Sequence, residues 1–111
     1  MSRDSTLFLE DMLSACRKVR EYVKGMSREE FLESSLVYDA VVRNLEILGE
    51  AAKHVPDEIK SALFEIEWRK IAGLRDFLAH AYFGIDDDIL WDVVDNKVPE
   101  LERILAFGFP K

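Results

Sequence analysis

Cysteine occurs once in the 111 residues, proline three times and glycine five times. Each scarcity excludes something. A lone Cys16 forms no internal disulfide, so the fold must rest on packing rather than on cross-links. Few prolines and glycines, together with 49% hydrophobic and 33% charged residues, exclude a disordered, collagen-like or linker-rich chain. No apolar run approaches the ~20 residues that a bilayer-spanning helix needs. Acids interrupt the apolar opening MSRDSTLFLEDML, so no secretory signal is expected. The expected compartment is the cytoplasm. Positive charge is also short: the net charge is −7, which argues against wrapping nucleic acid on a broad basic face. Any nucleic-acid contact must be local.

What remains is a chain sized for one domain, 1–111, with its own core. β-Branched residues do not alternate with polar ones, whereas apolar residues recur at spacings of three and four, so the expected fold is all-α. Leu9, Met12, Leu13, Cys16, Val19 and Val23 form the stripe of a first helix from about Ser5 to a C-cap at Gly25. Ser27 and Glu30 have capping-box spacing, with Met26 and Phe31 at the staple positions of a short helix. A longer helix from about Ser35 buries Ala40, Val41, Ile47, Leu48, Ala51, Ala52 and Val55 and ends before Pro56.

The stretch DEIKSALFEIEW suggests only a helical turn or two. From Trp68 to about His80 the period returns, with Ile71, Leu74, Phe77 and Leu78 on one side. A last helix is expected from Asp86, with Ile85 and Leu90 as a staple and Pro99 kinking or splitting it. The sum is an up-down bundle of four to five helices.

Chemically able side chains concentrate at 75–82. Asp76 and His80 are i, i+4 neighbours, so the carboxylate is placed to orient the imidazole. Histidine suits proton exchange near neutral pH. Arg75 and His80 are five apart, which on a regular helix separates them by about 140° around the axis and about 7.5 Å along it. They meet only if the helix ends near Ala79, the guanidinium swings round, or a second chain completes the site. From spacing alone, packing and a site are both open readings. His54, two residues before Pro56, reads as a helix cap and Cys16 as core. Asp86, Asp87 and Asp88 suit helix initiation better than a metal, and no metal is assigned. Phe107, Phe109 and Trp91 are more aromatic surface than the end of a small bundle easily buries, which suits a dimer.

The segments YVKGMSREEFLES, YDAVVRNLEILGEAAKHVP, WRKIAGLRDFLAHAYFGID and ILWDVV, in that order, resemble the HepT-like branch of the HEPN superfamily, toxins of the MNT–HepT type. The family hallmark, R-x4-H-x-Y, stands here as Arg75, His80 and Tyr82. The resemblance implies a homodimeric all-α bundle with paired Arg and His motifs in an interface cleft, and a ribonuclease that uses neither metal nor cofactor. It implies Arg75 as the group holding the RNA phosphate and His80 as general acid or base. Tyr82 is then the tyrosine that an MNT-type nucleotidyltransferase antitoxin modifies with AMP. Asp76 stands where many relatives carry Asn. Arg69 and Lys70, with Arg75, are the local basic group expected to support RNA binding on an acidic chain.

Overall fold

The computed structural model describes residues 5–81 and 86–108, the side chains of 5, 80 and 81 excepted. The expected all-α class holds, and no strand occurs among the described residues. Helix α1 (Ser5–Val23) closes at a turn in which Gly25 takes φ +77°, a left-handed conformation that glycine adopts without a Cβ clash. The chain then enters α2 (Arg28–Glu33) through a complete capping box: Ser27 Oγ accepts from the Glu30 N–H, and Glu30 Oε1 accepts from the Ser27 N–H. Phe31 is fully buried and Met26 packs against the same core, as a staple requires. Ser34 caps α3 (Ser35–Lys53), whose end lies three residues before Pro56.

Helix α3 is the organising element. Its apolar residues Val41, Leu45, Leu48 and Ala52 are buried against α1, which presents Leu9, Met12, Cys16 and Val19. Other contacts of α3 go to α5 (Trp68–Ala72) and α6 (Leu74–Ala81). Short α4 (Asp57–Ala62) buries no residue, in keeping with the weak periodicity of that stretch. Where one helix is expected from Trp68 to His80, two occur, joined at Gly73.

The last segment starts with α7 (Asp87–Asp92), and the Asp86 side chain accepts from the Asp88 N–H at 3.1 Å. Arg28 donates to Asp88 at 2.7 Å and ties α2 to α7. The acids at 86–88 therefore serve helix initiation and an ion pair. Ile85, the other half of the expected staple, lies outside the described residues, while Leu90 is buried. A single π-helical turn, Val93–Lys97, separates α7 from α8 (Val98–Gly108). Pro99 explains it: the ring lacks an N–H and clashes with the carbonyl four residues back, so widening the preceding turn lets the chain continue rather than stop.

Helix α8 returns along α1, where Arg17 and Arg20 both pair with Glu102. Trp91, expected at the surface, is half-buried with its ring 5.5 Å from Phe31, whereas Phe107 is 87% exposed. Phe109 lies outside the described residues. No helix among the described residues is long and apolar enough to cross a membrane.

Candidate functional site

Helix α6 stays helical through position 80, so a helix end at Ala79 is not what brings Arg75 and His80 together. On one chain the two positions diverge around the axis by about 140°. The Arg75 guanidinium reaches instead to α3, where Nη1 donates to Glu50 Oε2 at 3.3 Å. Half of the Arg75 side chain is exposed, as is about half of that of Glu50. The His80 side chain and all of Tyr82 lie outside the described residues.

The meeting of Glu50 and Arg75 has its origin one residue earlier. Gly49 is buried where α3 meets the α5–α6 joint, and a Cβ there would stand 2.9 Å from the Ile71 carbonyl oxygen and 3.4 Å from Leu74 Cβ. Only glycine admits that approach without a shift of backbone. The joint itself keeps its hydrogen bonds, since the Gly73 N–H donates to Arg69 O and the Phe77 N–H to Gly73 O, both at 3.1 Å. With α3 seated on Ile71 and Leu74, the next residue on each side, Glu50 and Arg75, face each other.

Glu50 is shared. His54 Nε2 lies 3.5 Å from Glu50 Oε1, and the His54 ring stacks on Phe8 of α1 with centroids 5.1 Å apart and planes 20° from parallel. His54 also closes α3 through its backbone N–H, as expected of a cap, but its ring is a member of the site that spacing did not reveal. The signal present was the i, i+4 pair of Glu50 and His54, which matches the pair of Asp76 and His80 in form. Desolvation pushes the Glu50 carboxyl up. The hydrogen bonds from Arg75 and His54 and the charges of Lys53 and Arg75 outweigh it and hold the group below the usual 4.5.

These residues line a groove of about 400 Å³ between α1, α3 and α6, together with Asp11, Arg43, Glu46 and Ile47. Two guanidiniums and one imidazole face three carboxylates, so the groove offers no positive field to a nucleic-acid strand. Arg69 and Lys70 are not among its lining residues. Both sit on α5; Lys70 pairs with Glu67 at 2.9 Å and borders a separate apolar cleft of about 260 Å³, walled by Leu48, Ile71, Leu74, Val98 and Leu101. Asp76 follows Arg75 on α6 and is exposed. Cys16 is fully buried; burial, with the Glu102 charge second, pushes its thiol to about 12, so it offers no nucleophile.

A family profile described as "Ribonuclease HepT-like" matches residues 12–106. Among curated proteins, the chain is 42% identical over 96 residues to a "Putative RNase" of Caldanaerobacter subterraneus subsp. tengcongensis, covering 86% of each chain. It is 40% identical over 102 residues to a "Probable ribonuclease HepT" of Thermococcus cleftensis, covering 92% of this chain and 93% of that one. A "Putative RNase" of Methanocaldococcus jannaschii is 38% identical over 107 residues, 93% of this chain and 88% of the relative. No solved structure matches.

Proposed function

The chain belongs to the HepT-like ribonuclease family, and from that premise we propose that it is an endoribonuclease acting as a homodimer. In the same reading it is the toxin of a toxin–antitoxin pair, held in check by an MNT-type nucleotidyltransferase that transfers AMP to Tyr82. The observation that carries the reading is the family match over residues 12–106, which encloses the whole of Arg75, His80 and Tyr82.

The divergence of positions 75 and 80 on α6 supports the dimer, because a second chain supplies what one helix does not bring together. His80 takes the proton from an RNA 2′-hydroxyl, whose oxygen attacks the adjacent phosphorus. The P–O5′ bond breaks, and His80 of the second chain protonates the leaving oxygen, leaving a 2′,3′-cyclic phosphate and a 5′-hydroxyl. Arg75 holds the non-bridging oxygens and stabilises the charge that grows on them. Modification of Tyr82 proceeds by attack of its oxygen on the α-phosphorus of ATP with pyrophosphate leaving. The AMP phosphate, two residues from His80, then competes with RNA for the same cations.

One observation favours a second reading, in which the chain is mainly a binding partner and substrate of the nucleotidyltransferase. The Arg75 guanidinium is already engaged by Glu50 in a groove with three carboxylates. The two readings separate on incubation of the purified protein with labelled single-stranded RNA, with and without His80→Ala. Cleavage by the wild type and none by the variant is the expected result; cleavage by both at equal rates removes His80 from the mechanism, and cleavage by neither leaves the binding reading. Under that second reading and the first alike, ATP, magnesium and the nucleotidyltransferase add the mass of AMP to Tyr82.

A further inference from the structure

We propose that Glu50 is a positioning residue for the phosphate-holding guanidinium of Arg75, an inference that rests on the reading of Arg75 given above. A free arginine side chain samples many rotamers, and it loses much of that freedom when it grips a phosphate. Arg75 is too exposed for packing to order it beforehand. Glu50 does so by accepting from one nitrogen, Nη1, and four of the five guanidinium N–H groups stay available to phosphate oxygens.

The orienting group is itself fixed. Its backbone is registered against α6 by the Gly49 contact with Ile71 and Leu74. Its second oxygen is held by His54, and His54 is steadied by the stack on Phe8. Three helices thus converge on one guanidinium: α1 through Phe8, α3 through Glu50 and His54, α6 through Arg75. A carboxylate beside a phosphate site weakens ground-state attraction for the anion. Donors already aimed at the oxygens gain most when charge builds on them, so the benefit falls on the chemical step. The signature of such a residue is a split between kcat and KM.

The test compares wild type with Glu50→Ala and Glu50→Gln in steady-state cleavage of a short single-stranded RNA, with ¹⁵N relaxation of the Arg75 guanidinium measured in parallel. In Glu50→Ala kcat should fall about tenfold with KM unchanged or lower, and the guanidinium should become mobile. Glu50→Gln, which keeps an oxygen acceptor at the same reach, should restore kcat to within about threefold of wild type and keep the guanidinium ordered. Alanine-variant cleavage at or above the wild-type kcat overturns the proposal, as does a guanidinium equally mobile in all three proteins. Should the wild type fail to cleave RNA, the ribonuclease reading fails separately, while relaxation still decides whether Glu50 orders Arg75. If Glu50→Ala unfolds, Glu50→Asp takes its place: the shorter side chain should mobilise Arg75, and an ordered Arg75 there counts against the proposal.

Discussion

Glu50 rides on α3, an uninterrupted helix of 19 residues that His54 caps; Arg75 rides on α6, which has 8 and is one of three short helices between positions 57 and 81. The first region is held by its own buried stripe. The second is held largely by being pressed onto the first, with Ile71 and Leu74 lying over Gly49. A site assembled across such a boundary takes its precision from the long helix and its reach from the short one. The weak point is the contact between them, not either helix.

Perturbing each side of this boundary should therefore give unequal results. The largest loss is expected within α3: Leu45 is fully buried, and Leu45→Ala should cost about 3 to 4 kcal/mol of unfolding free energy by urea titration. Phe64, 80% exposed in the 57–81 region, should tolerate Phe64→Ser within about 0.5 kcal/mol. At the boundary, Gly49→Ala forces a Cβ toward a backbone carbonyl, which does not yield as a side chain does. Against a gain of about 1 kcal/mol in helix propensity, the net change should still be a loss of about 1 to 2 kcal/mol. Gly73→Ala should go the other way. Gly73 has right-handed helical dihedrals and a Cβ there would meet its neighbours no nearer than 3.4 Å, so a gain of about 0.5 to 1 kcal/mol is expected. A loss at Gly73 equal to that at Gly49 would show the two glycines to be alike and dissolve the contrast.

The smallest effect is on pH dependence. Glu30, Glu50 and Glu67 are each held below their usual 4.5: Glu30 by hydrogen bonds from Ser27, Glu67 by Lys70, and Glu50 by Arg75 and His54 against the desolvation that raises it. A depressed carboxyl stabilises the fold fully above its unfolded pKa and loses that contribution as pH falls through the folded value. The melting temperature should therefore decline as pH falls through and below 4.5, more gently in Glu50→Gln than in wild type. Equal slopes would mean that the Glu50 bridge adds nothing to stability.

The same boundary divides what was legible in the amino-acid sequence from what was not. The stripes of α1 and α3, the Ser27–Glu30 capping box, the Gly25 turn and the start at Asp86 are local patterns, each set by residues within four or five of one another, and the structure has them, with Ala40 and Ile47 of the α3 stripe half-buried rather than buried. The break at Gly73 is not local. Nothing in the period from Trp68 to His80 announces it, and it accompanies the seating of the joint on Gly49 across the chain. The shape of the response to Pro99, a π turn rather than a kink, likewise depends on neighbours that keep Val94 within the turn and Val98 just after it buried. His54 caps α3 as its position predicts, but its ring stacks on Phe8 of α1, a contact that no local pattern encodes. The motif arginine was legible as a residue, but its partner Glu50 stands 25 positions away.

The most direct measurement is single-turnover cleavage of a short single-stranded RNA by the wild type and by Arg75→Ala, each shown by circular dichroism to be folded. A fall of about 100-fold or more in the rate constant is expected on losing the guanidinium. Cleavage by Arg75→Ala at the wild-type rate would contradict it.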